Sequence, residues 1–104
     1  MSSTPFAVEL TYADTRQLTG LVLLEFGATW CSYCQAAQAM ITQAVAQYPH
    51  LQHIKIEDGK GKRLGRQLTV KLWPTLIVLK DGVEMSRVVR PMNVDQIMQL
   101  FSNP

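Results

Sequence analysis

Two cysteines are all that this 104-residue chain contains, and only two residues separate them. Secreted scaffolds held by disulfides use several cysteines at wide spacing, so that architecture is excluded. Charge is sparse: Lys and Arg number 10 and Asp and Glu 8, a net +2. So small an imbalance gives no basis for a nucleic-acid partner. No apolar run approaches the ~20 residues that a membrane-spanning helix needs, so no membrane partner is expected. The first residues, Met1-Ser2-Ser3-Thr4-Pro5, lack the basic and apolar regions of a secretory signal, and a cytoplasmic location is expected. Internal repeats, low-complexity tracts and linkers are missing as well.

What is present suits one globular domain spanning residues 1–104, expected to be a monomer. A chain of this size buries roughly two-thirds of the surface its unfolded form exposes, so it can fold without a disulfide framework or a structural metal. Leu21-Val22-Leu23-Leu24-Glu25-Phe26 is an apolar run of strand length broken by one acid, which predicts a buried central strand. From Cys34 to Tyr48 apolar residues recur at helical spacing until Pro49. Ile54 and Ile56 alternate with polar neighbours and predict a second strand. Gly61 to Val70 predict a short helix with a basic face. Pro74 to Lys80 and Glu84 to Arg90 predict two strands joined at Asp81-Gly82, a strong hairpin signal. Asn93 is placed to cap a last helix, with Val94, Ile97, Met98 and Phe101 on one face. A short strand near Phe6 to Val8 and a helix around Asp14 to Leu18 complete the pattern. The fold class expected is α/β, a central mixed β-sheet with helices on both faces.

Cys31 opens a helix directly after a strand and a short loop. Unpaired N–H groups and the helix dipole at that end favour negative charge, and thiolate is the reactive form of cysteine. Cys34 lies one turn on, where neighbouring Cβ atoms are ~5–6 Å apart. A modest adjustment brings such a pair within the ~3.5–4.5 Å of a disulfide. The arrangement predicts a nucleophile at Cys31 and a resolving thiol at Cys34, with no cofactor beyond the redox-active pair. Two inert buried cysteines would be the plainer reading, but Cys31 follows a loop and does not sit on an apolar face.

Glu25-Phe26-Gly27-Ala28-Thr29-Trp30-Cys31-Ser32-Tyr33-Cys34 resembles the active-site segment of thioredoxins. Trp73-Pro74-Thr75, followed by Leu76-Ile77-Val78-Leu79-Lys80-Asp81-Gly82, resembles that family's proline–strand–hairpin element. With the order of elements, the similarity covers nearly the whole chain. It implies a thioredoxin fold and a protein-disulfide oxidoreductase that takes electrons from a thioredoxin-reductase-like donor or glutathione. It also implies a cis Pro74 beside the cysteines and a buried acid, Glu25, that handles the proton of Cys34. From the residues alone, Pro74 could equally be a trans residue opening a strand, and Glu25 could reach the sheet edge. Read as a lone acid among apolar residues, Glu25 would be an unpaired buried charge whose removal stabilises the fold.

The chain also departs from the family. Ser32-Tyr33 stand where thioredoxins carry Gly-Pro, and Trp73 stands where they carry a smaller residue. Arg90 replaces a Gly of the partner-docking surface, Gly27 replaces a Trp, and Ala39 lies near the place of a helix-kinking proline. His53 falls near a family lysine. Trp30, Ser32, Tyr33, Trp73, Thr75 and Arg90 are therefore the expected substrate-binding residues. The aromatic members could instead simply cover apolar surface, and Arg90 could be a solvated strand end.

Three other readings compete. Cys31, Cys34, His50 and His53 imitate a zinc pattern, but the histidine pair is too close for the usual x3–5 spacing. Cys-Ser-Tyr-Cys also occurs in glutaredoxins, some of which use glutathione or hold an iron–sulfur cluster. Lys60, Lys62, Arg63, Arg66 and Lys71 form a basic run that could serve a partner-binding module, although such runs are usually a solvated face.

Overall fold

A computed structural model describes residues 9–102. The strand expected near Phe6 to Val8 lies outside them. Thr11 caps the first helix, α1 (Tyr12–Gln17), through a reciprocal capping box with Asp14. Strand β1 (Leu21–Gly27) follows and is buried along almost its whole length. The long helix α2 (Ser32–Ala46) leads into β2 (Gln52–Glu57), and a short helix α3 (Arg63–Gln67) precedes β3 (Thr75–Lys80). A tight hairpin then joins β3 to β4 (Val83–Val89), and α4 (Val94–Ser102) closes the described chain. Asn93 Oδ1 accepts the Gln96 N–H at 2.9 Å, the cap expected at that helix.

The strands form one mixed sheet in the order β2-β1-β3-β4, with β1 parallel to β2 and the other pairs antiparallel. Alternation along β1 sends its side chains to two faces. Val22, Leu24 and Phe26 pack with Ile54, Ile56, Leu64 and Ile77 on the α3 side. Leu23 packs with Ala37, Ile41, Leu76, Val78, Ile97 and Phe101 beneath α2 and α4. Burying each large side chain contributes roughly 1.5–3 kcal/mol, and these two clusters hold the sheet between its helices. Glu25 shares the face of Leu23, so it points toward α2.

The hairpin uses left-handed backbone at Asp81 (φ 50°) and Gly82 (φ 80°). A Cβ on Gly82 would lie 2.4 Å from the Arg16 carbonyl oxygen, so glycine also permits the approach of α1. Asp81 and Gly20 exchange hydrogen bonds, Gly20 N–H to Asp81 Oδ1 at 2.7 Å and Asp81 N–H to Gly20 O at 3.0 Å. These contacts fix the end of the sheet opposite the cysteines.

Candidate active site

The cysteines emerge where β1 ends. Gly27 closes the strand, Ala28-Thr29-Trp30 form the loop, and Cys31 is the N-cap of α2 with extended backbone (φ −77°, ψ 119°). Its Sγ accepts the Cys34 N–H at 3.2 Å. Cysteine here does what a Ser or Asp cap does, and the bond strengthens as the sulfur gains negative charge. Both cysteines are free thiols, Cys31 7% exposed and Cys34 1%. Burial first, and then a separate side-chain hydrogen bond between the Cys34 thiol and Cys31, push the Cys34 thiol from an ordinary 9.0 up to about 12. The charges of Cys31 and Glu25 add smaller upward contributions, while a backbone contact to Ala28 opposes them.

The antiparallel register pairs Phe26 with Thr75, so the start of β3 lies beside the loop that carries the cysteines. Pro74 is buried there, and the Trp73–Pro74 bond is cis, as the resemblance implied. Trp73 packs against Ala28, Cys31 and Cys34. Thr75 differs from its expected place among the substrate-contacting side chains. It is fully buried, and its hydroxyl donates to the Leu72 carbonyl, closing the turn before Pro74.

Glu25 is fully buried and does not reach the sheet edge, but it is not alone. His53 Nε2 lies 2.7 Å from its Oε1, and Gln38 Nε2 donates to its Oε2 at 2.8 Å. Gln38 also donates to the Cys34 carbonyl at 3.0 Å and accepts from Lys55 Nζ at 2.6 Å. The expectation of an unpaired charge is therefore corrected. Parallel pairing sets Glu25 opposite Lys55 and Leu23 opposite His53, which puts all three polar groups on the α2 side of the sheet. Gln38 and Lys55 were missed in the sequence. Gln38 sits one turn beyond Cys34 on the same helix face, and Lys55 lies between the two isoleucines of β2, which mark it as facing the other side.

Five side chains, Trp30, Ser32, Tyr33, Trp73 and Arg90, lie around the dithiol. Trp30 is 72% exposed and meets Trp73 edge to face, with centroids 5.5 Å apart. Tyr33 is 57% exposed, and the Arg90 guanidinium lies 3.8 Å over its ring. Arg90 Nε donates to the Trp73 carbonyl at 2.8 Å and Arg90 N–H to the Pro74 carbonyl at 2.9 Å, so Arg90 is not a free strand end. Ser32 is exposed at the first turn of α2. Asp58, which the sequence did not single out, accepts the Trp73 indole N–H at 2.9 Å.

The zinc imitation does not assemble. His50 is exposed in the turn before β2, His53 is engaged with Glu25, and among the described residues no three His, Cys, Asp or Glu side chains gather to hold a metal. Lys62 of the basic run pairs with Glu9 at 3.0 Å, while Arg63, Arg66 and Lys71 face solvent. No helix among the described residues is long and apolar enough to cross a membrane.

The thioredoxin family model matches residues 7–103. This chain belongs to the thioredoxin family. The solved structure of thioredoxin 2 from Pseudomonas aeruginosa PAO1, in its reduced form, is 42% identical, covers 97% of this chain and 94% of its own, and superposes with a TM-score of 0.86. Thioredoxin from Chlamydia trachomatis serovar D is 34% identical over 81% of this chain and 82% of its own. Thioredoxin from Chlamydia pneumoniae is 37% identical over 73% and 74%. The chain is accordingly a thiol–disulfide oxidoreductase acting on protein disulfides, and the Cys31–Cys34 pair at the start of α2 fits its dithiol centre. Membership separates it from the glutaredoxin reading, and the mixed sheet flanked by helices is the thioredoxin fold.

Proposed function

We propose that Cys31 is the attacking thiolate and Cys34 the resolving thiol in the reduction of protein disulfides. The observation that carries this assignment is the asymmetry of the pair. Cys31 Sγ receives the N–H at the head of α2, whereas Cys34 is buried and holds its proton up to about 12. In the first step Cys31 Sγ bonds to one substrate sulfur, and the other leaves as a thiolate. In the second, Cys34 gives up its proton and attacks Cys31 Sγ. The second substrate thiolate departs, and the two electrons now lost from the pair reside on the substrate. The cycle needs no cofactor beyond the dithiol, and it closes when a thioredoxin-reductase-like donor or glutathione reduces Cys31–Cys34.

Glu25 is the proton acceptor in this reading. Once Cys31 is bound to substrate, its own contribution to holding the Cys34 proton is gone, but burial remains, so a base must assist. Support comes from Gln38, which bonds both Glu25 and the Cys34 carbonyl. Pro74 packs beside the pair and shapes the approach. Trp30, Ser32, Tyr33, Trp73 and Arg90 form the docking rim, with Thr75 acting behind it. Two aromatic surfaces and a held positive charge favour substrate segments with an apolar side chain and an acid near the disulfide. We infer a monomer acting as one domain in the cytoplasm, without nucleic-acid or membrane partners. Only two cysteines and a small net charge support that setting.

Brief alkylation of the reduced protein near neutral pH, followed by identification of the labelled residue, tests the assignment. Labelling of Cys31 is expected, and preferential labelling of Cys34 would overturn it.

A further inference from the structure

The docking rim depends on where the Trp73 ring stands, and the structure shows what holds it. The turn after β2 cradles the indole: Asp58 Oδ2 accepts its N–H at 2.9 Å, and Gly59 (φ 128°) lies beneath, with a hypothetical Cβ 3.7 Å from the ring. Asp58 is itself held on two sides. Its N–H donates to the Gly27 carbonyl at 2.9 Å, at the end of β1 just ahead of the cysteine loop. Its carboxylate fills the space left by Gly65 of α3, where a Cβ would lie 2.2 Å from Oδ1. Gly65 is buried inside a helix, a position where glycine is unfavourable unless something needs the room. Here the carboxylate needs it.

We propose that Asp58, seated against Gly65, is a positioning residue that fixes Trp73 across the mouth of the dithiol and thereby sets which protein disulfides are accepted. The inference rests on the reading of Trp73 as part of the docking rim. Trp73 is restrained at three points: the indole N–H by Asp58, the carbonyl by Arg90 and the ring by Trp30. Of these, Asp58 is the one that neither lines the rim nor touches the cysteines. With the indole free to turn, the wall beside Cys31 loses its fixed shape and the cost of ordering it falls on each docking event. Small disulfides that reach Cys31 without touching the wall are indifferent to that change.

The test uses the full chain with dithiothreitol as reductant and two substrates, insulin and bis(hydroxyethyl) disulfide. Asp58→Ala is expected to lower kcat/KM for insulin about three- to tenfold, the ratio carried by one lost hydrogen bond, mainly through KM. The rate on the small disulfide should hold. Asp58→Asn, whose amide oxygen still accepts the indole N–H, should recover most of the loss. Gly65→Ala should reproduce it by displacing the carboxylate, which keeps the proposal testable if Asp58→Ala fails to fold. In Trp73→Phe, which has no N–H to hold, adding Asp58→Ala should change nothing further. Equal losses on both substrates, or independent losses from Asp58→Ala and Trp73→Phe, would overturn the proposal. If Trp73→Phe leaves insulin reduction untouched, it is the docking reading that fails. If Trp73→Phe matters and Asp58→Ala does not, only the brace fails.

Discussion

Arg90 stacks on Tyr33, its guanidinium carbon 3.8 Å from the ring centroid. The contact joins the end of β4 to the first turn of α2, the helix that Cys31 caps. Because Arg90 is also bonded to the Trp73 carbonyl, the cation, the two rings and the proline loop form one continuous rim. An exposed cation–π contact contributes about 0.5–1 kcal/mol, enough to hold the guanidinium in place without removing its charge from water.

That rim predicts a change in substrate preference. Trp73→Ile and Arg90→Gly should each shift the ratio of rates on a panel of protein disulfides to the rate on a small model disulfide. Arg90→Gly should weigh most on acidic substrates, by under about 1 kcal/mol, and less at high salt. Identical preferences in the parent and both variants would refute a docking role.

Glu25 gives a prediction in which chemistry and stability separate. Glu25→Gln retains hydrogen-bonding capacity toward His53 and Gln38 but accepts no proton. It should slow release of the second substrate thiol by about 10²-fold or more, the usual range for losing an acid–base group. Glu25→Ala should in addition destabilise the fold by roughly 2–4 kcal/mol, since it opens a cavity and removes the partner of the half-buried His53 and Gln38. Stopped-flow decay of a mixed disulfide and denaturant titration measure the two effects. A resolution rate unchanged in Glu25→Gln would leave Glu25 purely structural.

Cys34 predicts a pH dependence of stability. Folding raises its pKa from 9.0 to about 12, so between those values the folded state binds more protons than the unfolded state. The stabilisation is complete below pH 9 and is lost as pH rises toward 12. Denaturant unfolding of the reduced protein should show this alkaline decline, and Cys34→Ala should show less of it. Parallel curves for the two proteins would contradict the origin assigned to the shift.

Gly82 offers a test remote from the site. An alanine there meets a left-handed φ and the Arg16 carbonyl together. Gly82→Ala should cost roughly 1–2 kcal/mol or more while leaving the chemistry of Cys31 intact. Chemical denaturation checks the first statement and alkylation rate the second.

Much of this architecture was legible because local signals agreed with the global fold. The apolar run of β1, the Asp81-Gly82 hairpin and the Asn93 cap each identify an element by themselves. Trp30, Cys31, Cys34 and Pro74 identify the site through their motifs. What the sequence hid was pairing across the sheet. Lys55 looks like a solvent-facing residue until the register sets it opposite Glu25. Gln38 is one polar residue among several on α2 until Glu25 is known to point at it. Thr75 belongs to a site motif, but only the fold reveals that its side chain turns inward. Asp58 precedes a glycine and reads as a turn, and its tie to Trp73 spans fifteen residues of chain, beyond any local pattern.

The edge-to-face pair of Trp30 and Trp73 has an optical consequence, because the chain contains no other tryptophan. Indole emission comes from the immediate surroundings of the dithiol, where Trp73 also borders the apolar cluster on the α3 side. The unlabelled protein thus carries a gauge of its own working surface, one that responds to docking or to a change of oxidation state while the sheet is undisturbed.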